Sequence, residues 1–185
     1  MHVATYVSRR VPFALGLLAL IAVATAALAD DRLLHAPNVV TISPRLVTSG
    51  QPTANALLQL SKQGFGAVIY LAPFTVSDAV PNEAEIVRGQ GLEFVNIPIQ
   101  FGKPTDADFQ AFVVAMNRFR DRKVLVHCQV NMRASSLTFL YRVIVDGEDP
   151  AKAYDSVAGV WSPVGPWKAL LTSQLQKAGI AFEPY

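Results

Sequence analysis

The chain has 185 residues, 51% of them hydrophobic and 16% charged, with a formal net charge of +2 at neutral pH. A single domain is the natural expectation at this length. The basic excess is small and scattered, with no lysine/arginine run and no interleaved aromatics, which argues against a nucleic-acid partner. His2, His35 and His127 stand apart from one another and from the one cysteine. They form no metal-ligand constellation, and neither a metal nor a cofactor is expected.

The first thirty residues carry an address signal. Arg9 and Arg10 precede Pro12–Ala27, an unbroken apolar and small-residue run, and Ala27-Leu28-Ala29 places small residues at the two positions a signal peptidase reads. Residues 1–29 are therefore read as a secretory signal peptide, with cleavage between Ala29 and Asp30. The mature protein is then periplasmic or secreted and comprises one domain, residues 30–185. The rival reading is an uncleaved membrane anchor; the run is somewhat short for a span of ~20 apolar residues and the Ala-x-Ala site favours cleavage, so no stable span is expected after cleavage. In an oxidising compartment Cys128, the only cysteine, can make no internal disulfide. A lone thiol there calls for a chemical reason.

Residues 30–38 read as a loose leader. Val39–Ile42 and Leu46–Thr48 are short strands around Ser43-Pro44-Arg45. The turn Ser49-Gly50-Gln51-Pro52 delivers Thr53, an N-cap, to a predicted helix 54–63 that Gly64 ends. A buried strand follows at 67–71, then a polar loop 72–80, and a helix 82–90 introduced by Pro81 and stopped by Gly91. The next strand is 94–99. After the loop 100–104, Thr105 caps a helix, with Asp108 three residues on as a short-armed capping box. Phe109, Phe112, Val113, Met116 and Phe119 mark the core face of that helix. Helices are also predicted over 134–145, 151–158 and 167–177. The alternation of strands and helices argues for an α/β domain with a mainly parallel central sheet flanked by helices.

The most informative stretch is Lys123–Ser136, KVLVHCQVNMRASS. Val124–Val126 read as a fully buried strand. His127 and Cys128 end it, four residues follow, and Arg133 opens a helix whose apolar positions are Leu137, Leu140, Tyr141 and Ile144. A loop running into a helix N-terminus offers backbone N–H donors and positive potential to an anion. The same environment favours a thiolate, lowering cysteine pKa values to roughly 3.5–7.5. Arg133 adds a planar fork of donors for an oxyanion. Asn131 stands mid-loop, where a left-handed backbone is often needed and Asn tolerates it. From the residues alone a second reading stays open: a buried structural cysteine after a core strand, with Arg133 an ordinary first-turn residue. His127, at the strand's end, is read as a hydrogen-bonded core residue that orients the loop.

The segment HCQVNMR at His127–Arg133 resembles the phosphate-binding loop of the cysteine-dependent phosphatases, HC, five residues, then Arg and Ser/Thr. It departs from that motif in having four intervening residues, Asn131 in place of the usual glycine, and the hydroxyl two places after the arginine, at Ser135. The shorter loop resembles a bacterial phosphatase-like family, also found fused to beta-lactamase-like hydrolases, with a protein-tyrosine-phosphatase-like subgroup. ISPRLVTSGQPT at Ile42–Thr53, the following helix with GFGAVIYLAP, and IPIQFGKPTDADF at Ile97–Phe109 agree with that subgroup.

The resemblance implies a dual-specificity-phosphatase-like three-layer domain. It also implies Cys128 as nucleophile, phosphate cradled by Gln129, Val130, Asn131, Met132 and Arg133, a supporting hydroxyl at Ser135, and the SGQP turn close by. The ligand would be a phosphorylated substrate or another small oxyanion. A leaving-group acid is expected after strand 94–99, but Gln100 stands there and has no labile proton. Asp106 is the expected substitute and Asp78 a further candidate; capping and the helix dipole by themselves fully explain Asp106 and Asp108. Lack of an acid costs roughly 10²–10⁴ in rate, so slow turnover is expected. Two alternatives remain: a rhodanese-like sulfurtransferase carrying a persulfide on Cys128, and a pseudophosphatase that only binds anions.

Overall fold

A computed structural model of the protein describes residues 1–2 and 34–185; the expected signal peptide, residues 1–29, and its expected cleavage site fall almost wholly outside them. Residues 34–185 form one compact unit. Five strands make one sheet: β1 (Val40–Ser43), β2 (Leu46–Ser49), β3 (Ala67–Tyr70), β4 (Glu93–Asn96) and β5 (Val124–His127). Their order is β1-β2-β5-β3-β4. Only the β1–β2 pair is antiparallel; β2–β5, β5–β3 and β3–β4 are parallel. Among the described residues six helices accompany them: α1 (Ala54–Leu57), α2 (Glu83–Arg88), α3 (Asp106–Arg118), α4 (Met132–Ile144), α5 (Pro150–Ala158) and α6 (Gly165–Lys177). The expected α/β architecture with a mainly parallel sheet flanked by helices is observed. None of the described helices is long and apolar enough to cross a membrane.

The apolar runs AVIY and VLVH become the two innermost parallel strands, every residue of which is buried, as sheets covered on both faces require. Helix α4 follows β5 and packs on β2, β5, α3, α5 and α6. Its heptad-like apolar spacing predicts one buried stripe; instead ten of its thirteen residues are buried, because neighbours enclose it on nearly every side. Buried Ser135, Ser136 and Thr138 on this helix are therefore interior positions that polarity alone assigns to solvent.

Three expectations are corrected. The helix predicted over 54–63 is α-helical only over Ala54–Leu57 and continues as turns. Gln90, from the segment after α2, supplies the reason: its Nε2 donates to Leu57 O at 2.8 Å while its Oε1 accepts from Ser61 N at 3.2 Å. One side-chain amide thus occupies both ends of the bond that would extend the helix. The strand expected over 94–99 stops at Asn96, because its partner β3 ends at Tyr70 and Pro98 has no N–H to continue the ladder. The supposed loose leader is tied down where it is described. His35 O accepts from Thr53 N at 3.0 Å, Pro37 O from Gly50 N at 2.6 Å, and Asn38 Nδ2 donates to Val130 O at 2.9 Å. Other boundaries move by a few residues; α4 begins at Met132 and α6 at Gly165.

Candidate active site

β5 is the central strand, and Cys128 follows its carboxyl end, where ligands bind in open parallel sheets. The loop Cys128–Asn131 turns directly into α4. Asn131 makes the turn in the left-handed region, with φ 71°. Its buried side chain locks the turn by donating to Asn38 O at 2.6 Å and Thr48 Oγ1 at 3.0 Å. With Asn38 Nδ2 bonded to Val130 O, the 34–38 segment is a strap clasping the loop from outside.

The Ser49-Gly50-Gln51 turn lies against the same loop. Cys128 N donates to Ser49 O at 3.3 Å and Gln51 N to Gln129 O at 2.9 Å. A Cβ on Gly50 would stand 2.6 Å from Gln129 O, so only glycine permits this approach. The turn therefore belongs to the site's framework.

The backbone N–H groups of Gln129, Val130, Met132 and Arg133 have no hydrogen-bond partner among the described residues. They are donors of the kind an oxyanion satisfies, at the positive end of a thirteen-residue helix. Arg133 is buried at 4% exposure. Its Nε donates to Ile99 O at 3.1 Å, its Nη1 reaches Gln129 Oε1 at 3.5 Å, and its guanidinium lies 5.0 Å from the Phe101 ring centre. Phe101 is backed by Trp161 and Trp167, whose indole N–H donates to Phe101 O. Burying an arginine without a carboxylate partner is costly; an anion bound in the loop would supply the missing charge. Ser135 Oγ is spent on Met132 O at 3.2 Å, within its own helix.

Behind the loop sits a buried polar cluster that local sequence does not announce. His127 Nε2 is 2.7 Å from Glu83 Oε1, with neither side chain exposed. The pair is close in distance but falls outside hydrogen-bond alignment. Glu83 Oε2 accepts from Gln51 Nε2 at 2.7 Å, and the His127 ring stacks on Tyr70 at 4.7 Å. The cluster couples β5, the SGQP turn and the start of α2 directly beneath Cys128. Burial above all, and next the charge of Glu83, hold the Tyr70 phenol well above its ordinary range. Glu83 opens a helix and reads locally as a first-turn acid; no sequence signal marks it as buried.

The acid candidates separate clearly. Asp106 accepts from Gln174 Nε2 at 2.6 Å and pairs with Lys177, both on α6. Asp108 completes the predicted capping box with Thr105, accepting from its N–H and hydroxyl. Asp78, on the loop after β3, instead accepts from Gln129 Nε2 at 2.9 Å, and so touches the cysteine loop. A cavity of about 350 Å³ lined by Arg45, Arg120, Arg122 and Tyr141 opens at the opposite, amino-terminal end of β2 and β5, away from this chemistry.

Residues 36–162 match the family described as DSP-PTPase phosphatase fused to NAD+ kinase. The chain belongs to that DSP-PTPase family. A DUF442 protein of Shewanella putrefaciens CN-32, a phosphatase candidate of known structure, is 31% identical; the match covers 77% of this chain and 91% of that one, with a TM-score of 0.71. The beta-lactamase hydrolase-like protein of Xylella fastidiosa Temecula1 is 35% identical over 109 residues, which is 57% of this chain. The aligned part is 25% of that relative's length, so this DSP-PTPase chain matches about a quarter of it. P. aeruginosa TpbA, solved in complex with pTyr, shares the fold at 20% identity and a TM-score of 0.55, over 67% of this chain and 75% of that one. The DSP-PTPase fold thus accounts for a cysteine loop at the end of a central parallel strand.

Proposed function

We propose that the protein is an exported cysteine-dependent phosphoric monoester hydrolase of the tyrosine/dual-specificity type. The observation that carries the proposal is the loop itself: a lone thiol at the exit of the central strand, with backbone donors unpaired and a buried arginine without a carboxylate partner among the described residues. In this reading the Cys128 thiolate attacks phosphorus, the P–O bond to the leaving group breaks, and a phosphocysteine forms. The loop N–H groups and Arg133 stabilise the equatorial oxygens as charge develops on them. Water then cleaves the phosphocysteine, releasing phosphate and the thiolate. Export rests on the amino-terminal signal pattern. Aryl phosphates are the natural first substrates, in line with the pTyr complex of a protein sharing the fold. With Gln100 at the usual acid position, turnover of poor leaving groups is slow unless another residue donates the proton.

The test uses the purified protein with an aryl phosphate and, in parallel, thiosulfate with a thiol acceptor. Cys128→Ser should abolish aryl phosphate cleavage while the far-UV circular dichroism stays unchanged, since Ser is a far poorer nucleophile in this setting. Failure of the parent to cleave any phosphate, with a persulfide on Cys128 in the intact mass, would move the chemistry to sulfur transfer.

A further inference from the structure

A phosphatase of this kind needs a proton donor for its leaving group, and each carboxyl near the expected place is bonded to groups outside the cysteine loop. Gln100 cannot donate. The Asp106 carboxylate is held by Gln174 and Lys177 of α6. A single oxygen of Asp108 accepts two bonds from Thr105 in the cap of α3. Glu83 is sealed beneath the loop against His127 and Gln51.

We propose that Asp78, on the loop between β3 and α2, is the general acid of the reaction. Among Asp78, Asp106 and Asp108 only Asp78 is hydrogen-bonded to the cysteine loop, through Gln129, the residue next to the nucleophile. The same Gln129 turns its Oε1 toward Arg133 Nη1 at 3.5 Å. One amide therefore joins the carboxyl to the arginine that would grip the phosphate. Asp78 uses only Oδ1 for this bond; Oδ2 has no hydrogen-bond partner among the described residues. That oxygen is free to carry the proton while Oδ1 stays anchored. Asp78 is exposed, as a donor must be when it meets a leaving group that departs toward solvent. Buried Tyr70 lies in the field of the same groups: its phenol is raised by burial first and then by the charges of Glu83, Asp78 and Cys128, with Arg133 opposing. Asp78, the nucleophile and the arginine thus all act on one ring.

The step balances simply, and it rests on the phosphatase reading given above. As Sγ bonds to phosphorus and the P–O bond breaks, the departing oxygen takes the proton from Asp78 Oδ2, leaving a carboxylate. In the second half that carboxylate removes a proton from the attacking water.

The experiment compares the parent, Asp78→Asn and Asp106→Asn on an aryl phosphate with an acidic phenol and on an alkyl phosphate. For Asp78→Asn we expect kcat/KM on the alkyl phosphate to fall by roughly 10²–10⁴, and on the activated aryl phosphate by less than about tenfold. The alkaline limb of the pH profile on the poor leaving group should vanish in the same variant. Asp106→Asn should give equal, small losses on both substrates. Equal losses on both substrates for Asp78→Asn, or none, would overturn the assignment while Cys128-dependent cleavage of the aryl phosphate kept the phosphatase reading intact. A folded parent inert toward both phosphates would defeat the phosphatase reading, and the acid assignment with it.

Discussion

Asn131 replaces the glycine usual in such loops, and its removal should cost both stability and anion binding. Two separable effects act at this residue. The backbone sits at φ 71°, where a residue other than Gly or Asn loses roughly 1–2 kcal/mol. The side chain makes two bonds, to Asn38 O and Thr48 Oγ1, each contributing about 0.5–1.5 kcal/mol net. Asn131→Ala incurs both losses, about 2–5 kcal/mol together. At roughly 2–4 °C per kcal/mol for a domain of this size, the midpoint of thermal unfolding should fall by about 10 °C. Asn131→Gly removes the anchors without the strain and should lose only about half as much. Both variants remove one of the two bonds between the 34–38 strap and the loop, leaving that of Asn38 Nδ2 to Val130 O, so vanadate should bind more weakly to each, measured by inhibition of aryl phosphate cleavage. Thermal unfolding followed by circular dichroism reads the stability terms. An Ala variant within about 1 kcal/mol of the parent would refute the account. A Gly variant as damaged as the Ala variant would remove the backbone part of it.

Arg133→Lys should lose most vanadate and phosphate affinity, because a point charge cannot present the planar fork of donors. Inhibition constants equal to the parent's would show that Arg133 does not hold the anion. The second expectation concerns alkaline pH. Burial raises the phenols of Tyr70 and Tyr154 in the folded protein, while in the unfolded chain they ionise near about 10. Above that pH the unfolded state gives up protons that the folded state keeps, so stability present below about pH 10 must decline as pH rises further. Urea midpoints should therefore drop between pH 9 and 11 (~one to two protons' worth of slope), and Tyr70→Phe should flatten the decline. An unchanged slope in that variant would contradict the burial argument.

The sequence by itself determined the features whose causes are local. Val124–His127 is apolar without alternation and became a strand buried on both faces. Thr105 and Asp108 lie three residues apart and closed the capping box. Asn131 tolerates a left-handed backbone and adopted it. The stretch from Cys128 to Arg133 became a loop running into a helix start, because one strand and one helix suffice to define it.

Tertiary structure decided what depends on residues brought together from far along the chain. Asn38 and Asn131 clasp across 93 positions of separation, so a segment with no periodicity of its own became part of the site. Gln90 shortened α1 by taking over a backbone bond 33 residues away, an event no helix propensity encodes. Glu83 looked like a helix-start acid and is instead sealed against His127, since burial is a property of what surrounds a side chain. The acid candidates divide for the same reason. Asp106 faces Lys177 and Gln174 across 71 and 68 positions, and Asp78 meets Gln129 across 51. Local spacing can nominate a carboxyl, but its partners, and hence its freedom to move a proton, are set only when distant elements pack.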